Sequence, residues 1–183
     1  VGAFIMGLPI GDIDITTNAT PTEVKEVFRD FRVIETGIKH GTVTVLIENE
    51  PLEITTYRSE STYSDNRHPD SVIFSKTLSD DVVRRDFTMN AIAFDFSNGF
   101  CDLVGGIKDI ENQTIRCIGD AETRFSEDAL RILRALRFSS VLGFTIEENT
   151  KTAIHKCKDL LLNISAERIR EEFVKLICGK NAY

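Results

Sequence analysis

The segment Gly11-Asp12-Ile13-Asp14-Ile15-Thr16 sets two carboxylates two residues apart. In an extended strand such residues project to the same face. Asp12 and Asp14 then converge, while Ile13 and Ile15 are expected to face the core. Two hard oxygen ligands on one rigid element suit Mg²⁺, which takes one or two carboxylates plus substrate phosphates. A third carboxylate, Glu53, lies in Leu52-Glu53-Ile54-Thr55-Thr56-Tyr57-Arg58. Its parity with Thr55 and Tyr57 turns it away from Leu52 and Ile54, as a third ligand would require. Such a set serves phosphoryl transfer, where positioning and charge neutralisation do most of the work. Two ions can clamp the attacking and leaving oxygens together. The Asp-x-Asp pattern is short, and two solvated aspartates on an edge strand would read the same way.

A second constellation is Val83-Arg84-Arg85-Asp86-Phe87-Thr88-Met89-Asn90-Ala91. Arginine forks phosphate oxygens, and Asp86 and Asn90 can hold ribose hydroxyls. A surface ion pair at a strand start is the plainer reading. A third is Glu127-Asp128 followed by Arg131, Arg134 and Arg137. On a helix, Ala129, Ile132, Leu133 and Leu136 share one side, and Asp128 with the arginines descends the other. Asp128 and Arg131 offer acceptors and donors side by side, so the pair can mimic a base edge and select a nucleotide without a nucleic acid template. Arg134 and Arg137 can reach its phosphates or steady the pair. A solvated amphipathic helix with ion pairs three residues apart is the alternative.

The elements that must position these groups change character near residue 120. Before it, residues 13–16, 42–48, 52–58, 87–96 and 114–119 are β-branched, aromatic and alternating, as strands require. Asn49 and Glu50 are expected to turn a hairpin over 42–58. Thr20 and Pro21 are expected to start a helix. Residues 59–80 are polar and read as a mobile loop. After 120 the spacing is helical. Ser126 is expected to cap a helix closed by Gly143, with Glu127 and Asp128 in its first turn. A second helix is expected from Glu147 to about Leu162. A third runs from a Ser165 cap to Gly179.

The chain has 183 residues, 42% hydrophobic and 28% charged, a soluble globular composition. No run is long and apolar enough to span a membrane, and a signal peptide is not expected. Cys101, Cys117, Cys157 and Cys178 lack CxxC spacing. A zinc site is therefore not expected, and the cysteines read as reduced thiols of a cytoplasmic protein. The net charge of −7 argues against a protein that simply coats nucleic acid.

In their order, GDIDITT, EITTYR, RRDFTMNAIAFD, DLVGGIKDI, EDALRILRALRF and ISAERIREEF resemble the class II tRNA nucleotidyltransferase and bacterial poly(A) polymerase family. The resemblance spans nearly the whole chain. It implies an α+β, polymerase-beta-like head over residues 1–118, with a mixed sheet and flanking helices. An all-α neck that selects nucleotides follows over 119–183, and the family's body and tail domains lie outside this chain. By the same resemblance Asp12 and Asp14 bind metal, with Glu53 as third catalytic carboxylate. Arg85, Asp86 and Asn90 contact triphosphate and ribose, and Asp128 and Arg131 read CTP and then ATP. Arg134 and Arg137 are nucleotide-contacting partners. Residues 102–106 resemble the hinge between head and neck, and 165–173 the last motif, which supports the neck and the RNA path. Residues 62–74 resemble the flexible element needed to add the terminal A. That disfavours an enzyme adding only CC.

The family's opening Gly-Gly-x-x-Arg-Asp turn, which cradles the triphosphate, is incomplete. Val1-Gly2 runs into Ala3-Phe4-Ile5-Met6-Gly7, and the Arg-Asp is absent. Gly2 corresponds to the first glycine of that turn. The resemblance also implies a first catalytic strand upstream of Val1. The implied activity is Mg²⁺-dependent transfer of CMP and AMP, from CTP and ATP, to the 3′ end of tRNA with release of pyrophosphate. An A-adding enzyme or a poly(A) polymerase would share the chemistry. A non-catalytic nucleotide- or RNA-binding module fits the broken turn, and a metal-dependent nuclease would not need the Asp128/Arg131 pair.

Overall fold

The computed structural model describes residues 1–9, 11, 13–60 and 72–182. They form two compact units, one from the described residues of 9–60 and 72–84, the other from 1–8 and 85–182. The first element, α1 (Gly2–Ile5), belongs to the second unit.

The first unit is a mixed sheet with a helix on one face. Its elements are β1 (Asp14–Thr17), α2 (Pro21–Val27), β2 (Arg32–Ile34), β3 (Thr42–Ile47) and β4 (Glu50–Thr56). The strand order is β1-β4-β3-β2, with β1 parallel to β4 and the other pairs antiparallel. Alternation sends Val43, Val45 and Ile54 to one face, where they bury against Val24 of α2. A capping box sets the start of α2. Glu23 N–H donates to Thr20 Oγ1 (3.4 Å) and Thr20 N–H to Glu23 Oε2 (2.6 Å), with Pro21 at the first position. The β3–β4 hairpin turns one residue earlier than expected. Glu48 (φ 53°) and Asn49 (φ 69°) both adopt the left-handed conformation that a two-residue hairpin loop demands.

Two expectations fail in this unit. Ile13 is 64% exposed; Ile15, paired with Ile54, keeps the core-side face but is still 38% exposed, because β1 is an edge strand and the core lies under β3 and β4. Residues 59–80 are not a loop throughout. Here β5 (Arg58–Glu60) pairs antiparallel with β6 (Val72–Phe74), and α3 (Leu78–Val83) follows, capped by Thr77. The intervening residues 61–71 lie outside the described residues.

The second unit continues with β7 (Ile92–Asp95), β8 (Gly99–Asp102), α4 (Gly106–Glu111), β9 (Thr114–Ile115), α5 (Ala121–Glu127), α6 (Leu130–Leu142), β10 (Thr145–Ile146), α7 (Glu148–Cys157) and α8 (Ala166–Ile177). Phe87, Ile115, Phe125 and Ile132 form its centre, each almost wholly buried. The strand expected over 87–96 is interrupted. Phe87 makes one bridge to Cys117, a 3-10 turn covers 88–90, and only 92–95 pair, with β8. The side chain of Asp86 accepts from Phe87 N–H (2.7 Å) and Asn90 Nδ2 (3.1 Å), which curls the segment away from a strand.

The helix expected from Ser126 is two helices. Asp120 caps α5, accepting from Thr123 N–H (2.8 Å), and Ser126 lies in its last turn. Asp128 has extended dihedrals (φ −142°, ψ 102°) and breaks the run, so it sits between helices rather than in a first turn. Gly143 closes α6 at φ 75°, as expected. Glu147 caps α7, which ends at Cys157 and gives way to a 3-10 turn over Lys158–Asn163. Ser165 occupies the N-cap position of α8 without a side-chain cap bond.

Candidate active site

In the first unit, parallel pairing sets Asp14 directly beside Glu53, and antiparallel pairing sets Glu53 beside Thr44. Residues opposed across a ladder project to the same face. Both carboxylates therefore stand on the face opposite Val43, Val45 and Ile54, and both are exposed. The strand parity expected for Glu53 is the parity observed. Asp12 lies outside the described residues. The donor set that is described, two hard carboxylates side by side on a rigid sheet, fits a divalent cation.

The second unit carries a network of charges. Asp86, only 8% exposed, receives Arg134 on Oδ2 from both Nε and Nη2 at 2.7 Å. Its Oδ1 takes the bonds from Phe87 and Asn90 described above, and Arg85 Nη1 donates to the Asn90 carbonyl at 3.2 Å. Arg85, Asp86, Asn90 and Arg134 are thus brought together. Arg134 also lies 3.9 Å from Glu172 of α8, whose Oε2 stands 2.7 Å from Arg137 Nε. Phe138 packs beneath both guanidiniums, with Arg137 at 4.1 Å from its ring centre and Arg134 at 5.5 Å. Burial works most strongly against the charge of Arg134, but Asp86 and Glu172 outweigh it and hold its pKa above the ordinary value. For Arg137 burial prevails over Glu172, and its pKa is lowered.

Asp128 and Arg131 each have partners that sequence reasoning missed. Arg168 of α8 forks Asp128, with Nη1 to Oδ1 at 3.3 Å and Nη2 to Oδ2 at 2.9 Å. Leu130 N–H adds a bond to Oδ1 at 3.1 Å. Arg131, itself only 8% exposed, reaches Glu127 Oε2 at 2.8 Å and the Arg124 carbonyl at 3.1 Å. The signal for Arg168 at Asp128, and for Glu172 at Arg134 and Arg137, was their four-residue spacing, which puts both on one face of α8.

Two glycines keep their places by close approach. A Cβ on Gly2 would lie 3.0 Å from the Met89 carbonyl oxygen, and one on Gly106 would lie 2.2 Å from that of Thr88. Asp102, at the segment resembling a hinge, binds the start of α4 through Gly106 N–H (2.8 Å) and Ile107 N–H (2.9 Å). Burial opposes its charge, but these bonds, with those of Val104 and Gly105, hold its carboxyl below the usual range.

The family described as "Poly A polymerase head domain" matches residues 1–116. That described as "Probable RNA and SrmB-binding site of polymerase A" matches 143–183. The CCA-adding enzyme of Enterococcus faecalis is 51% identical over 97% of this chain, and that of Lactobacillus helveticus 53% over 94%. Each match covers 43% of the relative, so the chain spans less than half the length of these proteins. Among solved structures, the Bacillus stearothermophilus CCA-adding enzyme in complex with CTP superposes with a TM-score of 0.89 at 43% identity. That match covers 99% of this chain and 43% of the other. The Thermotoga maritima CCA-adding enzyme complexed with tRNA superposes with a TM-score of 0.79 at 25% identity, over 99% of this chain and 42% of the other. The fold is the polymerase-beta-like head with mixed sheet and helices that these structures share. By sequence and by structure, the chain belongs to the family of CCA-adding enzymes and poly(A) polymerase head domains.

Proposed function

We propose that this chain is the catalytic head (1–118) and nucleotide-selecting neck (119–183) of an enzyme that adds CMP and AMP, from CTP and ATP, to the 3′ end of tRNA. The observation that carries the reading is the pairing of Asp14 with Glu53 on adjacent strands, turned away from the core. Enzymes of this family use divalent metal ions. Here Asp12 and Asp14 would hold Mg²⁺, with Glu53 paired beside Asp14. The ion supplies neutralisation of the triphosphate and of the charge that develops on the leaving pyrophosphate.

The remaining work falls to side chains. Arg85 presents its fork to triphosphate oxygens. Asn90 addresses ribose hydroxyls, and Asp86, whose oxygens are taken by Phe87, Asn90 and Arg134, orients it. Asp128 and Arg131 present acceptor and donor to the base edge, and Arg137 packs against Phe138 beside them as a further nucleotide contact. Gly2, which by the resemblance is the first glycine of the triphosphate turn, opens α1 and packs against the Met89 carbonyl. The cysteines, free among the described residues, support a cytoplasmic setting. The helices support no membrane span, since none described is long and apolar enough to cross one.

The test is incorporation by the full-length protein. It is given tRNA ending at the discriminator base, tRNA ending in CC, or an unrelated RNA, each with CTP, ATP or both, plus Mg²⁺. The reading expects the first tRNA to gain CCA and then stop. A single A added only to the CC-ended tRNA identifies an A-adding enzyme. Long A tails on any RNA identify a poly(A) polymerase. No incorporation at all leaves a nucleotide-binding module.

A further inference from the structure

We infer that Arg168 is a positioning residue for base selection, acting through Asp128. The inference rests on the reading of Asp128 as a base-reading carboxylate. A carboxylate offers about four acceptor positions, two on each oxygen. On Asp128, Oδ1 is occupied by Leu130 N–H (3.1 Å) and Arg168 Nη1 (3.3 Å), and Oδ2 by Arg168 Nη2 (2.9 Å). Among the described residues that leaves one acceptor position, on Oδ2. Its direction is set by the plane of the guanidinium, because a fork of two parallel bonds fixes the carboxylate plane as a single bond does not.

Cytosine and adenine carry an exocyclic amino donor where uracil and guanine carry a carbonyl acceptor. One fixed acceptor accepts the amino bases and repels the keto bases. Without Arg168, the Asp128 carboxylate keeps only the Leu130 bond among those described and can turn about its side-chain torsions. The acceptor then loses its direction. The pair is partly shielded from water, with side chains 23% and 18% exposed, which strengthens its hold.

The experiment compares CTP with UTP, and ATP with GTP, in steady-state incorporation by the full-length protein. The variants are Arg168→Ala, Arg168→Lys, Asp128→Ala and the double alanine variant. Arg168→Ala is expected to lower the CTP-over-UTP ratio of kcat/KM about tenfold, the size typical of coupling between contacting groups. Arg168→Lys, which restores charge without the fork, is expected to recover part of that ratio. The double variant should fall little below Asp128→Ala alone. An equal loss for all four nucleotides in Arg168→Ala, with ratios unchanged, overturns the inference and leaves Arg168 a support of the fold. Should Arg168→Ala fail to fold, an unchanged ratio in Arg168→Lys overturns it instead. Lost selectivity in Asp128→Ala with none lost in Arg168→Ala sinks this inference alone. Unchanged selectivity in Asp128→Ala sinks the reading of Asp128 itself.

Discussion

Asp14 and Glu53 differ from the other acidic residues singled out here in what surrounds them. Asp86 and Asp128 are already engaged by Arg134 and Arg168, whereas the strand pair faces solvent with no ion-pair partner among the described residues. Asp14→Ala is therefore expected to leave folding and nucleotide binding intact. It should reduce incorporation by on the order of 1,000-fold, the scale of several kcal/mol of lost charge stabilisation. Nucleotide titration alongside single-turnover incorporation checks this, and substantial residual turnover would remove the metal-site assignment. Cys117 gives a prediction of another kind. Burial, only partly opposed by a bond with Thr150, pushes its thiol up to about 12 from an ordinary 9.0. Between those values the unfolded thiol ionises while the folded one stays protonated, so this group's contribution to stability falls as pH rises through that window. Alkylation at pH 8.5 should label exposed Cys178 and spare Cys117, read by mass spectrometry of the intact and digested protein.

At the scale of elements, the joints between helices and strands matter more than their lengths. Asp128 breaks the run between α5 and α6 and so projects its carboxylate at α8 rather than along a helix face. The start of α4 is a second joint. There Asp102 collects backbone N–H groups, and Gly106 packs directly on the Thr88 carbonyl beside the Asp86–Asn90 segment. The atom in the way belongs to backbone and cannot move aside. Gly106→Ala should cost about 3 kcal/mol, at the upper end of overpacking effects. A urea titration measures it. A loss within a few tenths of a kcal/mol would show that α4 shifts freely and that the close approach is not required.

At the scale of the whole molecule, the net charge of −7 bears on the proposed RNA substrate: if RNA binds, a chain this acidic holds it by local patches rather than by its overall charge. The segment resembling the A-addition element falls largely outside the described residues, but its end is described. Residues 72–74 pair with 58–60. A deletion confined to 62–71 therefore spares the strands of that ladder. It is expected to spare C addition and impair addition of the terminal A, compared on tRNA ending at the discriminator base and on tRNA ending in CC. Equal loss of both activities would overturn the assignment.

Local rules were enough to determine a good part of this protein. The Thr20 cap, the parity of Glu53, the Gly143 stop and the presence of the β3–β4 hairpin, though not its exact turn residues, depend on residues within a few positions of each other, so spacing alone determined them. The motif order was legible for a related reason: each motif is a short run of residue types that its chemistry demands. What spacing could not reveal were the long-range choices. Ile13 and Ile15 have an apolar, core-facing pattern, yet strand order put β1 at the edge and left them exposed. Residues 87–96 have β propensity throughout, yet the bonds of Asp86 curled their first part. Arg168 and Glu172 looked like ordinary surface charges on an amphipathic helix, and only the packing of α8 along α6 brought them onto Asp128, Arg134 and Arg137. Pairing across 35 to 48 residues of chain follows from which faces bury together, and that free energy belongs to the assembled core rather than to any local window.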